Sequence, residues 1–140
     1  MKNLILIVAS FFLFSACSNA GNPPQAVLDA FKTKFPAAEK VKWGMENKTV
    51  WEAEFTLNGT DESANFTTDG TWIETETEIA YTALPNAVGD AINKLYAGYT
   101  IGVCTKTETP KNGIIYEAMI KKDKDKKEVV FKEDGTEVKE

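Results

Sequence analysis

The chain has 140 residues, with 16 Lys, 21 acidic residues, no His and no Arg, for a formal net charge of −5. Hydrophobic residues make up 43%, aromatics 11% and charged residues 26%, the profile of a globular domain rather than a disordered chain. The missing His excludes Ser-His and Cys-His nucleophile pairs and imidazole metal ligands, the missing Arg excludes a guanidinium fork, and the negative balance argues against nucleic acid, which is held by neutralising phosphates.

Residues 1–16 read as an address. Lys2 gives the positive start, and Leu4 to Phe14 is an apolar run of about a dozen residues, short of the ~20 that span a bilayer. The segment Phe14-Ser15-Ala16-Cys17 resembles a lipoprotein lipobox with Phe in place of the usual Leu. On that reading Cys17 becomes the acylated N-terminus, residues 17–23 a tether, and the protein an exported lipoprotein, periplasmic or anchored in the outer membrane. Ser18-Asn19-Ala20 keeps open an ordinary secretory cleavage after Ala20. With Cys17 lipidated, Cys104 has no intrachain partner. Without His, and with Lys106 as its nearest cation, it reads as a small strand residue rather than a reactive thiol.

A helix is predicted next. Pro24 suits a helix start, Val27, Leu28, Phe31 and Phe35 recur at helical spacing, and Pro36 stops the run. Strands follow. Val41 and Trp43 alternate with Lys40 and Lys42, and Trp51, Ala53, Phe55 and Leu57 alternate with polar neighbours. Asp69-Gly70 between short strands signals a hairpin. Pro85 then opens a second helix carrying Val88, Ile92, Leu95 and Tyr96, with Gly98 as its stop. Ile114, Tyr116, Ala118 and Ile120 form a second apolar strand stripe, and Asp134-Gly135 a second turn.

These elements repeat. Pro24-Gln-Ala-Val-Leu-Asp-Ala-Phe returns as Pro85-Asn-Ala-Val-Gly-Asp-Ala-Ile, Trp51-Glu-Ala-Glu-Phe as Tyr116-Glu-Ala-Met-Ile, and Phe66-Thr-Thr-Asp-Gly-Thr as Phe131-Lys-Glu-Asp-Gly-Thr. The expected fold is α+β: two tandem repeats, 24–80 and 81–140, each a helix followed by a roughly four-stranded antiparallel sheet. A helix, a Trp-x-Ala-x-Phe strand and Phe-x-x-Asp-Gly, duplicated behind a lipoprotein signal, resemble the PepSY-like domain family of exported Bacteroidetes proteins, compared with the beta-lactamase inhibitor protein fold. The resemblance implies tandem α/β units with a joint antiparallel sheet. It implies no enzymatic activity, and through related peptidase propeptides it points to an inhibitory or chaperoning role.

Chemistry-bearing groups are few. Glu52 and Glu54, like Glu74 and Glu76, share a strand face, but alternation with Thr and apolar residues marks a solvated sheet face rather than an acid/base pair. Ser63 lacks the glycines of a nucleophile elbow. Asp123, Asp125 and Glu128 are interleaved with Lys and lack the Gly of a calcium loop, so they read as a charged hairpin. No metal, cofactor or catalytic residue is assigned. Residues 41–90 carry ten acids and two lysines, an acidic patch.

Trp43 and Trp51 share the core phase. The repeat aligns Trp72 with Glu137 and Ile73 with Val138, which places Trp72 on the opposite, open face. That face would also hold Val50, Glu52 and Glu54 in copy one and Ile115, Glu117 and Met119 in copy two. The expectation is a non-catalytic cell-envelope module binding a protein or peptide through this face, with contact to membrane only through its lipid and none with nucleic acid. The alternative is a small-ligand carrier with a cavity lined by Trp43, Trp51 and Tyr116, between helix and sheet or between the repeats.

Overall fold

The computed structural model describes residues 21–139; the address segment and Cys17 lie outside them. Helix α1 (Gln25–Lys34) precedes strands β1 (Glu39–Asn47), β2 (Val50–Leu57), β3 (Thr60–Thr67) and β4 (Trp72–Ile79). A 3-10 turn (Tyr81–Ala83), helix α2 (Asn86–Leu95) and strands β5 (Thr100–Thr109), β6 (Gly113–Lys122) and β7 (Asp125–Lys132) follow. The fold is α+β, with two helices and one open seven-stranded sheet in the order β1-β2-β3-β4-β5-β6-β7. Contacts divide the chain into two compact units. One holds α1 and β1–β4 as far as Glu78, with Thr107–Gly113; the other holds Ile79–Lys106 and the chain from Ile114 onward.

Both prolines sit one residue before their helices rather than inside them. The Pro24 carbonyl accepts from the amides of Val27 and Leu28, and the Pro85 carbonyl from those of Val88 and Gly89. A cap needs no N–H of its own, so proline loses nothing there. At the far end of α1, Phe35 donates its amide to Phe31, Pro36 prevents continuation, and Lys32 and Lys34 face the negative end of the helix dipole.

In the first unit Val27, Phe31 and Phe35 of α1 pack on Trp51, Ala53 and Phe55 of β2 and Ala64 and Phe66 of β3. Phe31 is the hub. Its ring centroid lies 5.1 Å from those of Trp43 and Phe55, both edge-on, and 5.3 Å from that of Phe35. In the second unit Leu84, Val88 and Ile92 pack on Cys104, Tyr116, Ala118, Ile120, Val129 and Phe131. Cys104 is thus a buried strand residue. Leu95, expected in this core, is 54% exposed. The stripe advances from Val88 to Ile92 to Tyr96, a step of four, and Tyr96 takes the inward place at the helix end. Ile114 is also exposed, so the inner stripe of β6 begins at Tyr116.

The Asp-Gly turns are docked on the helices. The Thr67 amide donates to the Thr71 carbonyl and that of Gly70 to the Thr67 carbonyl; Lys132, Thr136 and Gly135 repeat the pattern. Gly70 and Gly135 adopt φ of 87° and 82°. A Cβ on Gly70 would stand 2.5 Å from the Ala26 carbonyl oxygen, and one on Gly135 would stand 2.5 Å from that of Ala87. Only glycine meets both demands.

The second half departs from the expected four strands. After Gly135, Phe131 and Glu137 form a single bridge, not a strand. Glu137 occupies the position of Trp72, which pairs with Phe66. A carboxylate offers no apolar surface to bury, and here it accepts a hydrogen bond from the Tyr96 hydroxyl.

Candidate binding face

Pairing in the first unit brings the acids together. Ala53 lies opposite Trp43 and Ala64 on the helix side. Its neighbours on β2 therefore point away from α1: Glu52 is opposite Gly44 and Asn65, and Glu54 is opposite Lys42 and Ser63. On β4, Glu74 is opposite Asn65 and Glu76 opposite Ser63. Four glutamates thus share the face that α1 leaves uncovered, and Lys42 stands beside them.

This face is less solvated than alternation with threonine implies. Glu52 and Glu54 are half-buried, but Glu74, Glu76, Ser63 and Asn65 are buried. The physical reason is position in the sheet. β4 is an inner strand of the sheet, between β3 and β5, which the sequence of one strand does not reveal. Burial, reinforced by the charges of Glu46, Glu54 and Glu74, pushes the Glu52 carboxyl up to about 7. Burial also raises Glu74, opposed by the Asn65 amide, which donates to Glu74 Oε1 at 3.0 Å.

Trp72 is not on this face. Register shifts between Asn65 and Phe66, so that Asn65 pairs with Glu74 but Phe66 pairs with Trp72, leaving Ile73 as the extra residue of a bulge. The bulge turns Trp72 to the helix side, where it packs against the α1 core. Lys34 Nζ lies 3.5 Å from its ring centroid, and its Nε1 donates to Thr75 Oγ1 at 3.0 Å. The expectation of an exposed tryptophan at the centre of a contact surface is therefore corrected. It rested on strict period two, which one inserted residue inverts.

Val50, Glu52 and Glu54 stay together on β2, on the side away from α1. On β6, Tyr116, Ala118 and Ile120 join the second core, so Ile115, Glu117 and Met119 point away from α2. There Ile115 is opposite Lys132, Glu117 opposite Val130 and Met119 opposite Glu128 on β7. Ile115 and Glu117 are buried and Met119 half-buried. Residues 121–128 form a charged hairpin end in which Lys122 pairs with Asp125.

The catalytic inventory is thin. Ser63 is buried beside Glu54 and Glu76. Among the described residues no group of three or more Asp, Glu, Cys or His is placed to hold a metal ion. Trp43 and Trp51 pack in the core of the first unit and Tyr116 in that of the second. A cavity of about 530 Å³ at the end of the first unit's sheet is lined by Lys40, Lys42, Glu54, Asp61, Glu62 and Glu78 among others. That lining is charged, unlike the mostly apolar walls of small-molecule pockets. Sequence reasoning missed this cavity, whose residues come from four strands.

A family model described as "Putative beta-lactamase-inhibitor-like, PepSY-like" matches residues 49–137. A BLIP-like protein from Bacteroides fragilis is similar in structure, with a TM-score of 0.76 at 25% identity over 86% of each chain. A DUF2874 family protein from Bacteroides ovatus gives a TM-score of 0.76 at 26% identity, over 86% of this chain and 87% of that one. A protein from Bacteroides eggerthii described among "putative periplasmic proteins" gives a TM-score of 0.73 at 24% identity, over 85% of this chain and 88% of that one. No curated protein matches the chain significantly.

Proposed function

The chain belongs to the beta-lactamase-inhibitor-like, PepSY-like family, and from that premise we propose that it is a non-catalytic, exported binding module. It contacts a protein or peptide through the acid-bearing face that α1 leaves free, with inhibition of the partner as one form of that contact. The observation that carries the reading is the face itself: Val50, Glu52 and Glu54 aligned on β2, half-buried and away from the helix. No His exists anywhere to serve as a base beside it. Export is supported by the apolar segment from Leu4 to Phe14 and by the relative described as periplasmic, and anchoring by Cys17 in its lipobox setting. The corresponding turns of the two halves, each glycine seated against its helix, support descent from a duplicated helix-and-sheet unit.

The test is site-specific photocrosslinking of the full chain in its own envelope. A crosslinker at Val50 is expected to capture a discrete partner that one at Gln25, exposed on α1, does not. Identical captures from both sites, or none from Val50, would sink the proposal.

A further inference from the structure

The two end strands of the sheet are finished differently. β7 is partly covered by its own chain: Phe131 bridges Glu137, and the Val138 amide donates to the Val130 carbonyl at 2.8 Å. β1 has β2 on one side, and among the described residues no strand or bridge lies on the other. Its outer backbone is an open template for a further strand. Between irregularities at Glu39/Lys42 and Met45/Asn47, β1 pairs evenly with β2, and Gly44 stands inside that even stretch, opposite Glu52. Its φ is not positive, and a Cβ on it would meet nothing within 4 Å. Glycine weakens a strand interior, and neither a bulge, a turn nor the chain's own packing calls for it here. Its remaining use in a strand is close approach by another backbone or a ligand.

The side chains flanking Gly44 are self-complementary. On the helix side of β1, Trp43 is half-buried against the first core, while Met45 is exposed, because α1 packs chiefly on β2 and β3. On the other side stand Lys42, opposite Glu54, and Glu46, whose charge acts on Glu52 and Glu74. Consider an antiparallel copy of β1 placed so that the two Gly44 residues meet. Trp43 then lies opposite Met45 of the second copy and Lys42 opposite Glu46 of the second copy, each twice by symmetry. Both pairings are favourable, a thioether on an indole and an ammonium on a carboxylate. Moving the centre to Trp43 would set Lys42 opposite Gly44, and moving it to Met45 would set Lys42 opposite Lys48.

We propose that this protein self-associates edge to edge, β1 pairing antiparallel with β1 of a second copy about a two-fold axis between the two Gly44 residues. The axis is perpendicular to the sheet at that point, so both copies keep α1 on the same side and each β1 closes the other's open edge. The inference stands apart from the binding-module reading of the acid-bearing face. About five residues a side pair, Lys42 to Glu46, which puts the contact in the small, transient class below ~1,200 Å². A covalent trap is therefore the fitting test.

The experiment places single cysteines in the full chain and oxidises it in its own envelope with copper phenanthroline, the unsubstituted chain reporting any link through Cys17 or Cys104. Directly opposite residues of antiparallel strands have Cα atoms ~4.5–5.5 Å apart, within the ~4.4–6.8 Å that a disulfide spans. G44C is expected to give a disulfide-linked dimer. N47C, ~20 Å from its mate in this register, is expected to give none beyond the unsubstituted chain. K42C and E46C are expected to link to each other when co-expressed, and neither to itself. Adding E46K to G44C sets like charges opposite each other and is expected to cut the dimer yield by about threefold or more; adding K42E as well restores opposite charges and with them the yield. E46K removes a charge that repels Glu52 and Glu74, so a lower yield will not reflect a weakened fold. A G44C dimer no more abundant than that of N47C, no response to E46K, no rescue by K42E, or G44C linked to a different protein instead of its own copy would each overturn the inference.

Discussion

Single residues in this protein are constrained by neighbours far away in sequence. Gly70 and Gly135 each combine a left-handed backbone with a helix carbonyl 2.5 Å from where a Cβ would sit. Gly70→Ala and Gly135→Ala should each lower stability by about 1–3 kcal/mol in urea titrations, more than an alanine at a free turn would. A loss near zero would show that the turns do not bear on the helices. Phe31 and Leu95 form a contrasting pair, both apolar and both on a helix. Phe31→Ala should cost about 3–5 kcal/mol, since the ring touches four aromatic neighbours. Leu95→Ala should stay within about 0.5 kcal/mol, because the side chain is mostly in water. Equal effects would contradict the burial that separates them.

At the scale of elements, β4 governs both the correction and the chemistry. Its bulge at Ile73 sends Trp72 into the helix-side core while Glu74 and Glu76 face away. Between β4 and β2 the carboxylates make stability depend on pH in an uncommon direction. Glu52 has a folded-state value of about 7, above its ordinary 4.5, and Glu74 is also raised. A raised carboxyl holds its proton more tightly in the folded chain, so this stability is complete below pH 4.5 and is lost as pH rises toward about 7. Asp69 acts in the opposite sense. Hydrogen bonds from Thr67 and then Thr71 hold its carboxyl below the usual 3.8, a contribution present above that value and lost in stronger acid. Melting temperatures should therefore be higher at pH 5 than at pH 8, and Glu52→Gln should flatten the difference. A wild-type chain that melts higher at pH 8 would remove Glu52 from this role.

Across the whole molecule, two helix-on-sheet cores stand where the repeated motifs put them. That much was legible because helix and strand periodicity are local properties: Val27 and Phe31, or Trp51, Ala53 and Phe55, announce their buried side within a few residues. The turns were legible for the same reason, since Asp-Gly encodes its own backbone geometry. The strand count of the second half was not, because pairing beyond Gly135 depends on whether Glu137 finds something to bury, and a carboxylate does not. Nor was the site, except in part. The shared face of Glu52 and Glu54 follows from period two, but their convergence with Glu74 and Glu76 and the burial of the latter pair come from strands brought together across the sheet. The amino-acid sequence alone thus determined which segments are helix or strand, and which side of most of them is apolar. Tertiary structure decided which side Trp72 takes and which charges become neighbours, because register and bulges are set between strands, where one residue of slip reverses every side chain.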